Sequence, residues 1–232
     1  MKLKNWLIGL LGINIVIAVH EAGHWTMAHL FGVETPEFSI GFGPKLLTKK
    51  IGTTDFVLAA LPLGGFVEIE GMRHAEPGKE AVSFVTQPFK HKVLILLGGI
   101  LFNILFAFLV FVRVGFPPLV LPRPREEIEP PTPQHQRRAF VGPLGIIRMA
   151  SQSWMYGAQV YFYFLAILSL NLAIFNLFPL PILDGGQLLL IAVEAIRGSA
   201  LPDVTYQIIM GITILLMLFL LLQVTRQDLR NS

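Results

Sequence analysis

The sequence contains no cysteine, so it can form no disulfide and can offer no thiolate to a metal. Any cation it holds must sit on imidazole and carboxylate. Charge is scarce as well. Only 14% of residues are charged, against about 25% in soluble domains, while 53% are hydrophobic and the mean hydropathy is +0.64. This balance excludes an ordinary soluble domain and marks an integral membrane protein. The net charge of +3 is modest, and no basic stripe with interleaved aromatics appears, so nucleic acid is not an expected partner. Lysine and arginine sit mainly in loops, which suits contact with the headgroups of a lipid bilayer.

What is there is a set of long apolar runs. Four spans are expected, at about 6–31, 93–116, 157–178 and 204–224. Lys2 and Lys4 precede the first run as they would in a secretory leader. No small-x-small cleavage site follows, however, and cutting near Ala18 or Ala22 would destroy the motif described next, so an uncleaved first span is expected. Arg113 can snorkel from the end of the second span. Between the first two spans, Lys45 to Ile51, Asp55 to Leu61 and Gly65 to Ile69 read as short β runs. The turn signals are Gly41-Phe42-Gly43-Pro44, Gly52-Thr53-Thr54 and Pro62-Leu63-Gly64. The fold class is therefore a mainly α membrane protein, with four transmembrane helices and a small membrane-associated β-hairpin at about 45–70. Pro117 to about residue 139 is an extended linker, and Phe140 to Met155 is a helix lying partly on the membrane surface.

Inside the first span stands His20-Glu21-Ala22-Gly23-His24. Two histidines four apart project from one helix face. With 6 His and 11 Glu in 232 residues, a shuffled chain would contain His-Glu-x-x-His roughly 1% of the time or less, whereas zinc sites use it routinely. A lone buried His is more often a satisfied core residue than a ligand. Two of them with a Glu, about 21 Å along a would-be membrane helix, are different, because ionisable groups in hydrocarbon are costly and functional by default. His20 and His24 are candidate zinc ligands, and Glu21 is placed to act on a water between them. His29 falls about 180° around the helix from His20 and stays out of the site; His74 and His91 lack a ligand-spaced partner.

The third span ends in Asn176-Leu177-Phe178-Pro179-Leu180-Pro181-Ile182-Leu183-Asp184-Gly185-Gly186. Two prolines two apart cannot continue a helix, so the backbone opens there, which is tolerated where it lines a watery cavity. An Asp before Gly-Gly is often only a turn residue or cap. The span count argues for more, since the first and third spans end on the same side of the membrane and bring His20, His24 and Asp184 toward one face. Two His and one carboxylate with an open water position form an accepted catalytic zinc set. In the second span, Gly99 and Asn103 sit one turn apart, which suits close packing and an interhelical hydrogen bond rather than chemistry.

In this order, HEAGH, Gly-Phe-Gly-Pro, the Gly99-to-Asn103 motif and Asn-x-x-Pro-x-Pro-x-Leu-Asp-Gly resemble the site-2 protease family of intramembrane zinc metalloproteases. The likeness covers nearly the whole chain and is closest to bacterial members that cut membrane-tethered anti-sigma factors. It implies Zn2+ held by His20, His24 and Asp184, with Glu21 as the catalytic carboxylate. It implies that Asn176 contacts substrate and that the 52–70 strands receive an unwound substrate helix. The implied partner is a membrane protein with a transmembrane helix. The implied location is the inner membrane as a multi-pass protein, with the active site toward the cytosol. Charge alone does not choose a side, since Lys and Arg number 9 on one and 8 on the other. Those bacterial members carry PDZ domains between the second and third spans, whereas Pro117 to Ser153 is far shorter than a domain of ~100 residues. PDZ-based screening of substrates is therefore not implied.

Two other readings of the residues stay open. A metal-permeation protein could use the same ligands without proteolysis. A different kind of membrane zinc protease would complete its ligand set with a Glu from a later helix, for which Glu194 is the one candidate.

Overall fold

The computed structural model describes residues 3–115 and 142–230. The expected linker at 117–139, and with it the question of a PDZ domain, lies outside the described residues. The elements are α1 (Leu3–Leu30), β1 (Glu37–Ile51), β2 (Thr54–Val67), a 3-10 turn (Glu80–Val82), α2 (Phe89–Val114), α3 (Pro143–Met155), α4 (Ala158–Asn176), α5 (Asp184–Arg197) and α6 (Asp203–Arg230). Among the described residues, four helical stretches are long and apolar enough to cross a bilayer: Lys4–Leu30, Phe89–Val114, Ala158–Asn176 and Asp203–Arg226. Even the shortest, with 19 residues, reaches about 28 Å at 1.5 Å per residue, close to the ~30 Å hydrocarbon core. The chain is a multi-pass membrane protein with the expected fold class.

α1 is the centre of the bundle, and glycines let its neighbours come close. Lipid tails are as apolar as leucine, so burying leucine against leucine drives little association in a membrane; small residues that allow backbone contact do more. A Cβ on Gly9 would strike Ser151 and the Ile147 carbonyl of α3, and one on Gly12 would strike the Tyr161 hydroxyl of α4. At Gly23 the contact is backbone on backbone, against the carbonyl of Gly98 in α2. Tyr161 also donates its hydroxyl to the Ile8 carbonyl at 2.7 Å. α6 is the opposite case. Ile208, Ile212, Leu215, Phe219 and Leu222 are all more than half exposed, as a helix turned to lipid requires.

α3 forms the helix expected over residues 140–155 from Pro143 onward, with one face packed inward. Ile147, Ala150 and Ser151 are buried, and the Gly9 contact draws that face onto α1. The helical spacing was legible in the sequence, but not that Ile147 and Ser151 meet a glycine on α1.

The sheet lies where the hairpin is expected but begins earlier. β1 and β2 pair antiparallel, Lys45 to Ile51 against Thr54 to Ala59 and Phe38 to Ile40 against Gly65 to Val67. Gly41-Phe42-Gly43-Pro44 is the expected turn, because Glu37 to Ile40 and Lys45 to Ile51 flank Asp55 to Leu58 in opposite directions. Gly41 and Gly43 both hold positive φ, 91° and 88°, which redirects an extended backbone at no steric cost to glycine. Three bonds fix the sheet along α1. Trp25 Nε1 donates to Thr54 Oγ1 at 3.1 Å, Val67 N to Glu21 Oε2 at 3.0 Å, and Asn14 Nδ2 to the Pro62 carbonyl at 2.7 Å. From Trp25 to Asn14 is about 16 Å of helix, so the sheet lies against the apolar span itself.

Candidate metal centre

His20 and His24 point from α1 at the crossing with α2, and both are buried, at 6% and 5% exposure. Their company depends on a missing side chain. A Cβ on Gly99 would run into both imidazoles, so the glycine that permits the helix crossing also clears the space the rings fill. Each ring meets α2 through its Nδ1, His24 at 2.9 Å from the Ile95 carbonyl and His20 at 3.2 Å from the Asn103 amide. Both Nε2 atoms approach Asp184.

Asp184 comes from the first turn of α5. The chain from Leu177 to Leu183 folds over that turn, with Leu183 N bonded to the Leu180 carbonyl at 2.7 Å and Gly186 N to the Leu183 carbonyl at 3.0 Å. Gly185 and Gly186 have no room for a Cβ, because the carbonyls of Leu177, Phe178 and Leu180 lie against them. Gln187 Nε2 reaches back to the Pro181 carbonyl at 2.5 Å. Pro179 and Pro181 stop the helix, the two glycines let the loop pack tightly on its own continuation, and the outcome is a carboxylate aimed at α1.

The three side chains converge. His20 Nε2 and His24 Nε2 are 3.2 Å apart, and Asp184 Oδ2 lies 3.3 Å from the first and 3.4 Å from the second. A tetrahedral cation with bonds of about 2.0–2.1 Å has donor–donor edges of about 3.3–3.4 Å, the distances zinc requires of nitrogen and carboxylate oxygen. Asp184 Oδ2 is moreover buried without a hydrogen-bond partner. Such an atom is costly unless something else satisfies it, and a cation between the three donors would do so. Among the described residues this is the one group of three or more His or acidic side chains within metal-holding distance.

Glu21 is the next residue on α1, and its Oε2 accepts the Val67 amide hydrogen, which ties the end of β2 to the metal centre. That link is a backbone group and was invisible to motif reading. Asn176 is buried at the end of α4, 8% exposed, with its amide nitrogen donating to the Leu172 carbonyl at 3.0 Å. His29 bonds to the Trp25 carbonyl and approaches Thr35, away from the triad. Glu194 is already engaged, accepting from Arg73 Nη1 at 2.6 Å and from Leu201 N at 2.9 Å, so it is no rival ligand. Asn103, expected to serve close packing and an interhelical hydrogen bond, makes that bond to a ring of the triad. The signal was present in its spacing from Gly99, but nothing in the sequence names which partner it meets.

The family model described as peptidase family M50 matches residues 8–220, which takes in every residue of the centre. The chain belongs to peptidase family M50. This is the site-2 protease family that the motifs resemble, and its curated relatives are named as zinc metalloproteases. A curated relative from Helicobacter pylori, named "Putative zinc metalloprotease", is 40% identical over 122 residues, half of this chain and 35% of its own length. Relatives of the same description from Clostridium perfringens and Rickettsia conorii are each 24% identical. They align over 96% and 94% of this chain and over 98% and 96% of their own lengths. The matches to the first relatives in the comparison thus span about a third of those proteins or less. The donor set, free of sulfur and with one buried oxygen unsatisfied, fits the zinc of the M50 family.

Proposed function

We propose that this chain is an intramembrane zinc metalloprotease that hydrolyses a peptide bond within or near the transmembrane segment of a single-span membrane protein. The observation that carries this reading is the convergence of His20, His24 and the unsatisfied Asp184 oxygen at tetrahedral spacing beside Glu21. His20, His24 and Asp184 hold the cation. When bound, zinc supplies Lewis acidity toward a water and the scissile carbonyl.

The remaining work falls to the chain. Glu21 takes a proton from the attacking water and later gives it to the departing amine, a transfer of the kind that contributes about 10²–10⁴-fold. A substrate helix hides its carbonyls in its own hydrogen bonds and must first unwind. Its freed backbone groups can be satisfied by adding a strand to a sheet edge. The Gly65 to Val67 end of β2 is suited to this, since its Val67 N–H already bonds Glu21 and would hold an added strand next to the reacting groups. Asn176, the last residue of α4 before the double-proline loop, is assigned to contact substrate backbone, as the family resemblance implies. The active site is read as facing the cytosol from the cell's inner membrane.

The test pairs the wild-type protein with Glu21→Gln, each purified in detergent and incubated with a tagged single-span substrate. Cleavage by the wild type alone supports the reading, and equal cleavage by both refutes the role of Glu21. Metal analysis of Asp184→Asn should show reduced zinc; unchanged zinc removes Asp184 from the ligand set.

A further inference from the structure

The ring nitrogens that do not face Asp184 share one helix. Ile95 and Asn103 are eight residues apart on α2, a little over two turns, so they face the same way, with Gly99 midway beneath the two imidazoles. A neutral imidazole that gives its Nε2 lone pair to a cation carries its proton on Nδ1. In a buried site that N–H needs an acceptor. His24 has one, the Ile95 carbonyl at 2.9 Å.

His20 has the wrong atom. The Asn103 amide presents Nδ2 to His20 Nδ1 at 3.2 Å, and a donor there leaves the ring proton on Nε2, the atom that faces Asp184 and His24. Meanwhile Asn103 Oδ1, in a side chain with no exposure at all, has no hydrogen-bond partner. The two ends of a carboxamide are nearly identical in shape, and which is which follows from the hydrogen-bond network. A half-turn of the amide puts Oδ1 against His20 Nδ1. The backbone beneath stays in place, since the buried Ser169 hydroxyl donates to the Asn103 carbonyl at 3.0 Å.

We infer that Asn103 is a positioning residue for the metal centre, its Oδ1 accepting from His20 Nδ1–H and so holding the ring in the tautomer whose Nε2 is free for the cation. The inference rests on His20, His24 and Asp184 being the ligands. It gives α2 a function beyond packing, because one helix then supplies the acceptor for both histidines, a carbonyl to one and a carboxamide oxygen to the other.

The full chain in detergent is compared with Asn103→Leu, Asn103→Ala, Asn103→Asp and Asp184→Ala. Zinc affinity is read by competition with a chelator, the visible spectrum is recorded with Co2+ in place of zinc, and the melting temperature is taken metal-free. Partners of this kind are worth about 10–100-fold in metal affinity. Leu and Ala should weaken zinc binding by that factor and change the cobalt spectrum. Asp, which keeps an acceptor oxygen, should bind zinc at least as tightly as the wild type. A residue that served only packing would show the reverse order, with the buried charge of Asp doing the most harm and the metal-free melting point following zinc affinity. Wild-type affinity in both Leu and Ala, or an Asp variant that loses zinc as they do, overturns the inference. Zinc bound equally by the wild type and Asp184→Ala overturns instead the ligand assignment beneath it.

Discussion

The two ends of α5 each carry a carboxylate that faces another element, and the contrast between them separates a site from a strut. At the C-terminal end, Glu194 meets Arg73 from the segment after β2. Arg73 also donates to the Leu201 carbonyl and lies 4.2 Å from the centre of the Tyr206 ring. The Glu194 oxygen that accepts from Arg73 also accepts from Leu201 N. At the N-terminal end, ten residues and about 15 Å away, Asp184 holds an oxygen between two ring nitrogens with no hydrogen-bond partner. Both carboxylates are largely buried. The Glu194 oxygen is satisfied as it stands, although Arg73 Nε beside it is buried without a partner, while the Asp184 oxygen would be satisfied by a cation. Charge and burial are shared, so the distinction lies in the hydrogen-bond accounting.

Breaking each end separately sharpens the contrast. Asp184→Ala is expected to have the largest effect, with zinc binding and proteolysis both lost while the detergent-solubilised fold persists, as checked by metal analysis and a substrate assay on the same preparation. Glu21→Gln comes next: activity should fall by about 10²–10⁴-fold with zinc content unchanged, which separates proton transfer from metal holding. Glu194→Gln should leave zinc untouched and lower stability by about 2 kcal/mol, the scale of a hydrogen bond to a charged group, measured as a shift in thermal melting. The smallest change is expected on removing the metal. Hydrogen exchange should rise around Leu177 to Gly186 after chelation and stay constant around Arg73 and Leu201. Protection lost at both ends alike would show α5 moving as one body and would dissolve the distinction.

What could be read beforehand follows the range of each signal. HEAGH is local, so helix periodicity alone places His20 and His24 on one face. Asp184 is 160 residues further on, yet counting spans sufficed, because a membrane reduces the question of proximity to which side each segment ends on. Where the outcome turned on backbone atoms or on side chains that are absent, the pattern of residues was silent. The Ile95 carbonyl beneath His24 and the Val67 amide on Glu21 belong to no residue type. Gly41 and Gly43 read as a turn, and the chain does reverse there, but the sequence did not show that the segment before the turn also pairs in the sheet. The helix at α3 was legible from its spacing, but its contact with α1 at Gly9 was not.

The meeting of Gly23 with Gly98 sets how the active site can and cannot deform. With two bare backbones pressed together and no flexible side chains between them, neither rod can slide along the other by even one step without collision. Ile95 and Asn103 therefore stay in register with the rings above them whether or not the cation is in place. On the opposite flank Asp184 is carried by a loop closed through its own backbone bonds, so any opening of the proposed site is expected there rather than at the helix crossing.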